Sequence, residues 1–193
     1  MPTDVRNALL DAGRQLLDRG GVDTVTLREV GHIAGVSHNA PYKHFASKEA
    51  LLAAIAAEEL RRQTDALAVL VKRKRSAKTA LRAVMLAYVE WATAYPARFK
   101  LIFGTWSIES AELATAADDA HRALVEVVAS AQKSGVLPTG DPLRLASLLR
   151  AQAHGVADLA SVGHLSRTGK GHADPADLID DLLRYLHAVA AVN

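Results

Sequence analysis

Between Thr26 and Leu52 the chain reads TLREVGHIAGVSHNAPYKHFASKEALL, where three helix starts and one forced turn leave the backbone little freedom. Thr26 and Glu29 have the Thr-x-x-Glu spacing of a capping box: the hydroxyl accepts a first-turn backbone N–H while the carboxylate reaches back to the cap. The spacing predicts a short helix from Leu27, with Leu27, Val30 and Ala34 on one face and Gly35 supplying the left-handed residue that ends it. Val36 is expected to tuck inward, and Ser37 to cap a second short helix running to about Phe45. A connection this tight crosses the two helices steeply, as in a helix-turn-helix. Ser47 then caps a long helix whose first residue is Lys48.

The solvent side of the second helix carries His38, Asn39, Tyr42, Lys43 and His44, all hydrogen-bond donors and none negative. Residues 1–50 are balanced, with six basic side chains (Arg6, Arg14, Arg19, Arg28, Lys43, Lys48) and six acidic ones (Asp4, Asp11, Asp18, Asp23, Glu29, Glu49). The segment from Ser37 to Lys48 nevertheless contains no acid. Such a face suits a groove walled by phosphate, and the dipole and ammonium at Lys48 both favour an anion. A formal net charge of +2 with a sequence pI near 9.0 does not by itself announce a nucleic-acid binder. Caps, stops and solvated polar residues also occur in helical proteins without that role, so a ligand-binding or protein-interaction module remains the alternative.

Helical periodicity covers the rest of the chain, and no segment reads as a strand, so the expected fold is all-α with about nine helices. Val5, Leu9, Ala12 and Leu16 share one face of a first helix stopped by Gly20-Gly21. The helix from Lys48 should reach the basic run Lys72-Arg73-Lys74-Arg75, which reads as a solvated helix end complementing the dipole. This linking helix, 48–72, joins an expected N-terminal domain, 1–50, to an expected C-terminal domain, 51–193. Asp141-Pro142 and Asp174-Pro175 each mark a later helix start, cap followed by proline at the first position. Those last two helices carry aliphatic ridges that include Leu145, Leu149, Ala157, Leu178, Leu182 and Leu186, suited to close helix packing between copies of the chain.

Tyr88, Trp91, Tyr95, Phe99, Phe103 and Trp106 are six of the nine aromatic residues, four Tyr, three Phe and two Trp. Large rings dominate ordinary helical cores, but this crowding also suits a mostly apolar cavity with a few polar tips. Tyr88, Trp91, Tyr95, Phe103 and Trp106, with His121, are therefore the expected site for a small apolar or aromatic ligand. The chain has no cysteine, which excludes disulfides and cysteine zinc sites and fits a reducing cytoplasm. The N-terminus lacks the pattern of a secretory signal, and the longest apolar run, Ala50–Ala57, is too short to cross a membrane. His154 with Asp158 and Asp118 with His121 give metal pairs but no third ligand, so neither a metal nor a cofactor is expected. Ser130-Ala-Gln-Lys133 has the Ser-x-x-Lys spacing without its companion motifs, and no enzymatic activity is expected.

The run AGVSHNAPYKHFASKEALL resembles the signature of the TetR family of bacterial transcription regulators, where an Ala-Gly-Val-Ser turn, Tyr-x-His-Phe and Ser-Lys-Glu-x-Leu follow in this order. The likeness spans Val5 to Ile55. It implies an N-terminal three-helix DNA-binding domain and a C-terminal helical domain for ligand binding and homodimerisation, with double-stranded operator DNA and a small-molecule effector as partners. It also implies phosphate contacts from Tyr42, His44 and Lys48 and base contacts from the residues before them, so that Thr26, Arg28, Ser37, His38, Asn39 and Lys43 complete the expected DNA-binding set. Pro41 stands where many relatives carry Leu, and a tight or slightly displaced helix start is expected there. Around His154-Gly155 the chain resembles a C-terminal subgroup named for a Trp-His-Gly pattern, with Ala153 in place of the tryptophan.

Overall fold

In the computed structural model, which describes residues 4–192, every regular element is helical. Asp4 accepts the N–H of Arg6 at 3.1 Å and opens α1 (Val5–Gly20), which a 3-10 turn at Val22–Thr24 follows. Thr26 Oγ accepts the N–H of Glu29 at 3.1 Å at the start of α2 (Leu27–Ile33), the hydroxyl half of the expected box. Gly35 sits at φ +66, and the N–H of Val36 returns to Gly31 O at 3.1 Å, the 6→1 bond that closes a helix through a left-handed residue. Val36 is half-buried against the core below, as its place in that motif requires.

The next helix departs from expectation. Ser37 does not cap it; Ser37 O instead accepts the N–H of Ala40 at 2.9 Å, and α3 runs only over Ala40–His44. Pro41 is the reason. Its missing N–H is harmless in a first turn, and its ring is buried against Gly31 of α2, where an added Cβ would lie 2.8 Å from Pro41 Cγ. His38 and Asn39 thus precede the helix, in the turn.

The remaining elements are α4 (Lys48–Lys72), α5 (Ala77–Ala94), α6 (Pro96–Ile102), α7 (Ala111–Lys133), α8 (Pro142–Ser161) and α9 (Pro175–Ala190). Ser47 Oγ caps α4 through Ala50 N at 3.1 Å, and Asp141 caps α8 through Leu143 N at 2.9 Å. At α9 Asp174 and Asp177 exchange both bonds of a capping box, at 3.0 and 3.2 Å. No described helix is long and apolar enough to cross a membrane.

The helices form two compact units that interleave along the chain. The first contains the chain up to Arg62 together with Tyr95–Asp119. Its core joins Leu9, Leu10 and Leu17 of α1 to Val30, Phe45, Leu51, Ile55 and Leu101, with Trp106 and Leu113 packed against it. The second contains Gln63–Ala94 and the chain from Ala120 onward. There α5 lies along α8 and α9, its buried Leu81, Val84, Met85 and Val89 matched by buried Ala146, Leu149, Ala153, Ala157 and Ile179. Arg82 of α5 forks onto Asp180 of α9 at 2.5 and 2.7 Å.

Candidate nucleic-acid interface and ligand-binding helices

In the first unit, α2, the Gly35 turn and α3 present one polar surface. Thr26, Arg28, Ser37, His38, Asn39, Lys43 and His44 are exposed, Tyr42 is 53% exposed and Lys48 is half-buried. The rings of His38 and Tyr42 lie 5.9 Å apart, and His38 Nδ1 lies 3.4 Å from Asn39 Oδ1, which gathers the three into one patch. Apolar anchors hold that patch from behind: Pro41 and Phe45, on either side of Tyr42–His44, are both buried. Side chains that donate hydrogen bonds, set on α3, the turn before it and the start of α4 and free of carboxylates between positions 37 and 48, can meet phosphates and base edges together.

Glu49 shares the start of α4 with Lys48. Backbone N–H donation, then the Ser47 hydroxyl, holds its carboxyl below the ordinary carboxylate range. Part of the positive helix end is therefore already occupied by a side chain, which leaves the Lys48 ammonium as the clearer anion donor there.

The six residues expected around a ligand divide between the units. Tyr88, Trp91 and His121 belong to the second, and Tyr95, Phe103 and Trp106 to the first. Pro96 breaks the helix between the two groups. Within the first, Trp106 packs on the core, the Arg98 guanidinium lies 4.2 Å from the centre of the Tyr95 ring, and Phe103, 42% exposed, meets Phe99 at 5.3 Å. Within the second, the Tyr88 and Trp91 rings stand 6.3 Å apart on α5, and Tyr88 OH lies 3.2 Å from His154 Nδ1 on α8. Burial pushes the Tyr88 phenol well above its ordinary pKa, against the nearby Arg150 charge, so it remains a neutral donor or acceptor. His121 Nδ1 is buried with no hydrogen-bond partner.

His154 is the member of this group that reasoning from aromatics missed; its signal was its place one helical face away from Ala153 and Ala157, both buried against α5. Among the described residues no three His, Asp or Glu side chains converge closely enough to hold a metal ion.

Of the residues expected between copies, Leu149 and Ala157 are fully buried by packing inside one chain, while Leu145, Leu178, Leu182 and Leu186 are half-buried. Among the described residues, the large apolar side chains left open on α8 and α9 are Leu143, Leu148, Leu159, Tyr185 and Val189, each 46–62% exposed.

Residues 9–55 match the family described as bacterial regulatory proteins, tetR family, and residues 81–186 match a tetracyclin repressor-like C-terminal domain. The chain is similar over 98% of both lengths to a Rhodococcus sp. RHA1 protein of unknown function, with 30% identity and a TM-score of 0.83. It shares the fold of the transcriptional regulator FadR from Bacillus subtilis, solved in complex with stearoyl-CoA, at 15% identity and TM-score 0.70, over 94% of this chain and 97% of that one. A tetR-family regulatory protein from Rhodococcus RHA1 gives 18% identity and TM-score 0.67 over 97% of each chain. No curated protein sequence matches.

Proposed function

The chain belongs to the TetR family of bacterial regulatory proteins and is a ligand-responsive, DNA-binding transcriptional regulator; within that frame we propose that it is a cytoplasmic homodimeric repressor released from a palindromic operator by a small, mostly apolar effector. The family is one of regulators, not of enzymes. The observation that carries the proposal is the exposed, acid-free surface from Ser37 to Lys48, braced from behind by buried Pro41 and Phe45. On it, Tyr42, His44 and Lys48 hold phosphates, while His38, Asn39 and Lys43 reach base edges, with Thr26, Arg28 and Ser37 at its margin. Two such surfaces in a dimer would read half-sites about 34 to 36 Å apart, or a multiple of that distance.

We assign DNA binding to residues 1–50 and effector binding and dimerisation to residues 51–193. The effector is received in the second unit beside Tyr88, Trp91 and His121, with His154 added to the set. A tilted pair of rings and a half-buried phenol–imidazole pair offer an apolar wall and one polar anchor. The Bacillus subtilis FadR was solved with stearoyl-CoA, of which only the acyl chain has this apolar character. Binding there displaces α4, changes the separation of the two recognition helices and mismatches the half-sites; operator must weaken effector binding by the same factor.

Selection of bound sequences from a random duplex pool tests the reading. A two-fold symmetric motif is expected, and replacing both His38 and Asn39 by Ala should change it at a cost of about 1–3 kcal/mol for each contacted base. A pool with no enriched motif would remove the DNA-binding assignment, and an unaltered motif from the double variant would remove these two residues as base readers.

A further inference from the structure

Residues 95–119 fall inside the match to the C-terminal domain yet fold into the unit that carries the recognition helix. Two side chains from this segment grip α1 near its ends. At the start of α1, Glu112 in the first turn of α7 accepts from Arg6 at 2.7 Å and also from Arg61 of α4, with Arg61 Nη1 at 3.3 Å. At the end of α1, Arg98 of α6 forks onto Asp18 at 2.8 and 2.6 Å and reaches Glu59 of α4 at 3.2 Å. Arg6 closes a path to the DNA-docking surface, because its guanidinium lies 5.7 Å from the centre of the Phe45 ring, directly after α3.

Isolated surface ion pairs have little effect, but each of these carboxylate or guanidinium groups serves two partners on different helices, and such networks hold geometry better than single pairs. Apolar packing of Leu9, Leu10 and Leu17 already selects the inward face of α1, and the charged groups add ties at its two ends. Charged ties near positions 6 and 18, roughly 18 Å apart along the helix at 1.5 Å per residue, oppose both rotation and tilt.

We propose that Glu112, supported by Arg98, is a positioning residue for operator binding: the Arg6–Glu112–Arg61 clasp sets the orientation of α1 and, through Arg6 on Phe45, that of the recognition helix. The inference rests on the DNA-binding reading above. It places the coupling in α1 and the first turn of α7, in addition to the displacement of α4.

The test is a double-mutant cycle on the full-length protein, using an operator duplex taken from the selection. Glu112→Gln, which keeps the shape and removes the charge, should weaken operator binding by about three- to thirtyfold, the range typical of residues that couple sites without touching ligand. The slope of affinity against salt should stay unchanged, since no phosphate contact is lost. Arg6→Gln combined with Glu112→Gln should be no weaker than the weaker single variant, and Glu112→Asp should recover part of the loss. Parental affinity for Glu112→Gln, or strictly additive losses in the cycle, would overturn the proposal.

A second measurement keeps it decidable if no duplex is selected. Hydrogen exchange, followed well below the melting temperature, should accelerate in Glu112→Gln at the amides of α1 and Phe45 and not in α5, α8 or α9. Unchanged exchange in α1 would overturn the clasp even then, whereas accelerated exchange together with an empty selection would support the clasp and sink only the DNA assignment.

Discussion

Lys48 shows how a single residue acquires a role from its backbone position. It opens α4 after the Ser47 cap, at the positive end of the helix, and Glu49 beside it is already engaged with a backbone N–H there and the Ser47 hydroxyl. Lys48→Ala should therefore weaken binding to every duplex and reduce the salt slope by about one contact per subunit, with the selected motif unchanged. Titrations at several salt concentrations check this; an unaltered slope would take Lys48 out of the interface. His38 and Asn39 illustrate the converse. Their residue types suit base reading, but they lie in the turn before α3, so their reach depends on the turn's path and not on helical spacing.

At the scale of elements, the α2–α3 crossing depends on two glycines used differently. Gly31 admits the Pro41 ring, and Gly35 supplies the positive φ that reverses the chain. Gly35→Ala should destabilise the protein by about 1–2 kcal/mol, the cost of a left-handed residue with a Cβ, and Gly35→Asn by clearly less, since Asn tolerates that conformation. Urea unfolding of the two variants gives the comparison, and equal midpoints would show that the turn relaxes without strain. The α5–α9 packing has an acid-sensitive tie. The Arg82 hydrogen bonds hold the Asp180 carboxyl below its ordinary pKa, and the backbone N–H of Asp177 does the same for Asp174. A folded-state pKa below the unfolded one stabilises the fold above the ordinary carboxylate value of about 4, and this is lost as pH falls through the depressed value. The stability difference between the parent and Asp180→Asn should accordingly be constant above about pH 5 and shrink toward pH 3. A difference that does not vary with pH would mean that the Arg82 fork contributes nothing.

For the whole molecule, the outcome of a charge on α8 depends on which side it lands. Ala157 is fully buried against the same chain, so Ala157→Glu should unfold the protein, as an unpaired charge in a helix core does. Leu159 is 46% exposed on the open face, so Leu159→Glu should leave the fold intact and release monomers with weak operator affinity. Sedimentation and circular dichroism separate the two results. An intact Leu159→Glu dimer would place the interface elsewhere.

The sequence by itself determined most helix boundaries and the turn between α2 and α3, because caps, stops and apolar periodicity act over a few residues and need no distant partner. Asp141-Pro142, Asp174-Pro175 and Gly35 do in the structure what their chemistry requires in any helical chain. The start of α3 was the local exception. Ser37 is a good cap in isolation, but the Pro41 ring finds room over Gly31, and that contact between two helices sets the start at Ala40. Only tertiary structure decided which face of a helix is taken. A heptad-like ridge on α8 looks alike whether it meets α5 or a second copy, and the burial of Leu149 and Ala157 inside one chain resolves it. The same holds for the aromatic residues. Closeness in sequence suggested one cluster, but the break at Pro96 leaves Tyr88 and Trp91 in one unit and Trp106 packed against the core of the other. The ties of Arg98 to Asp18 and of Glu112 to Arg6 span 80 and 106 positions, and no spacing rule reaches that far, because pairing at such separations is set by how whole helices pack.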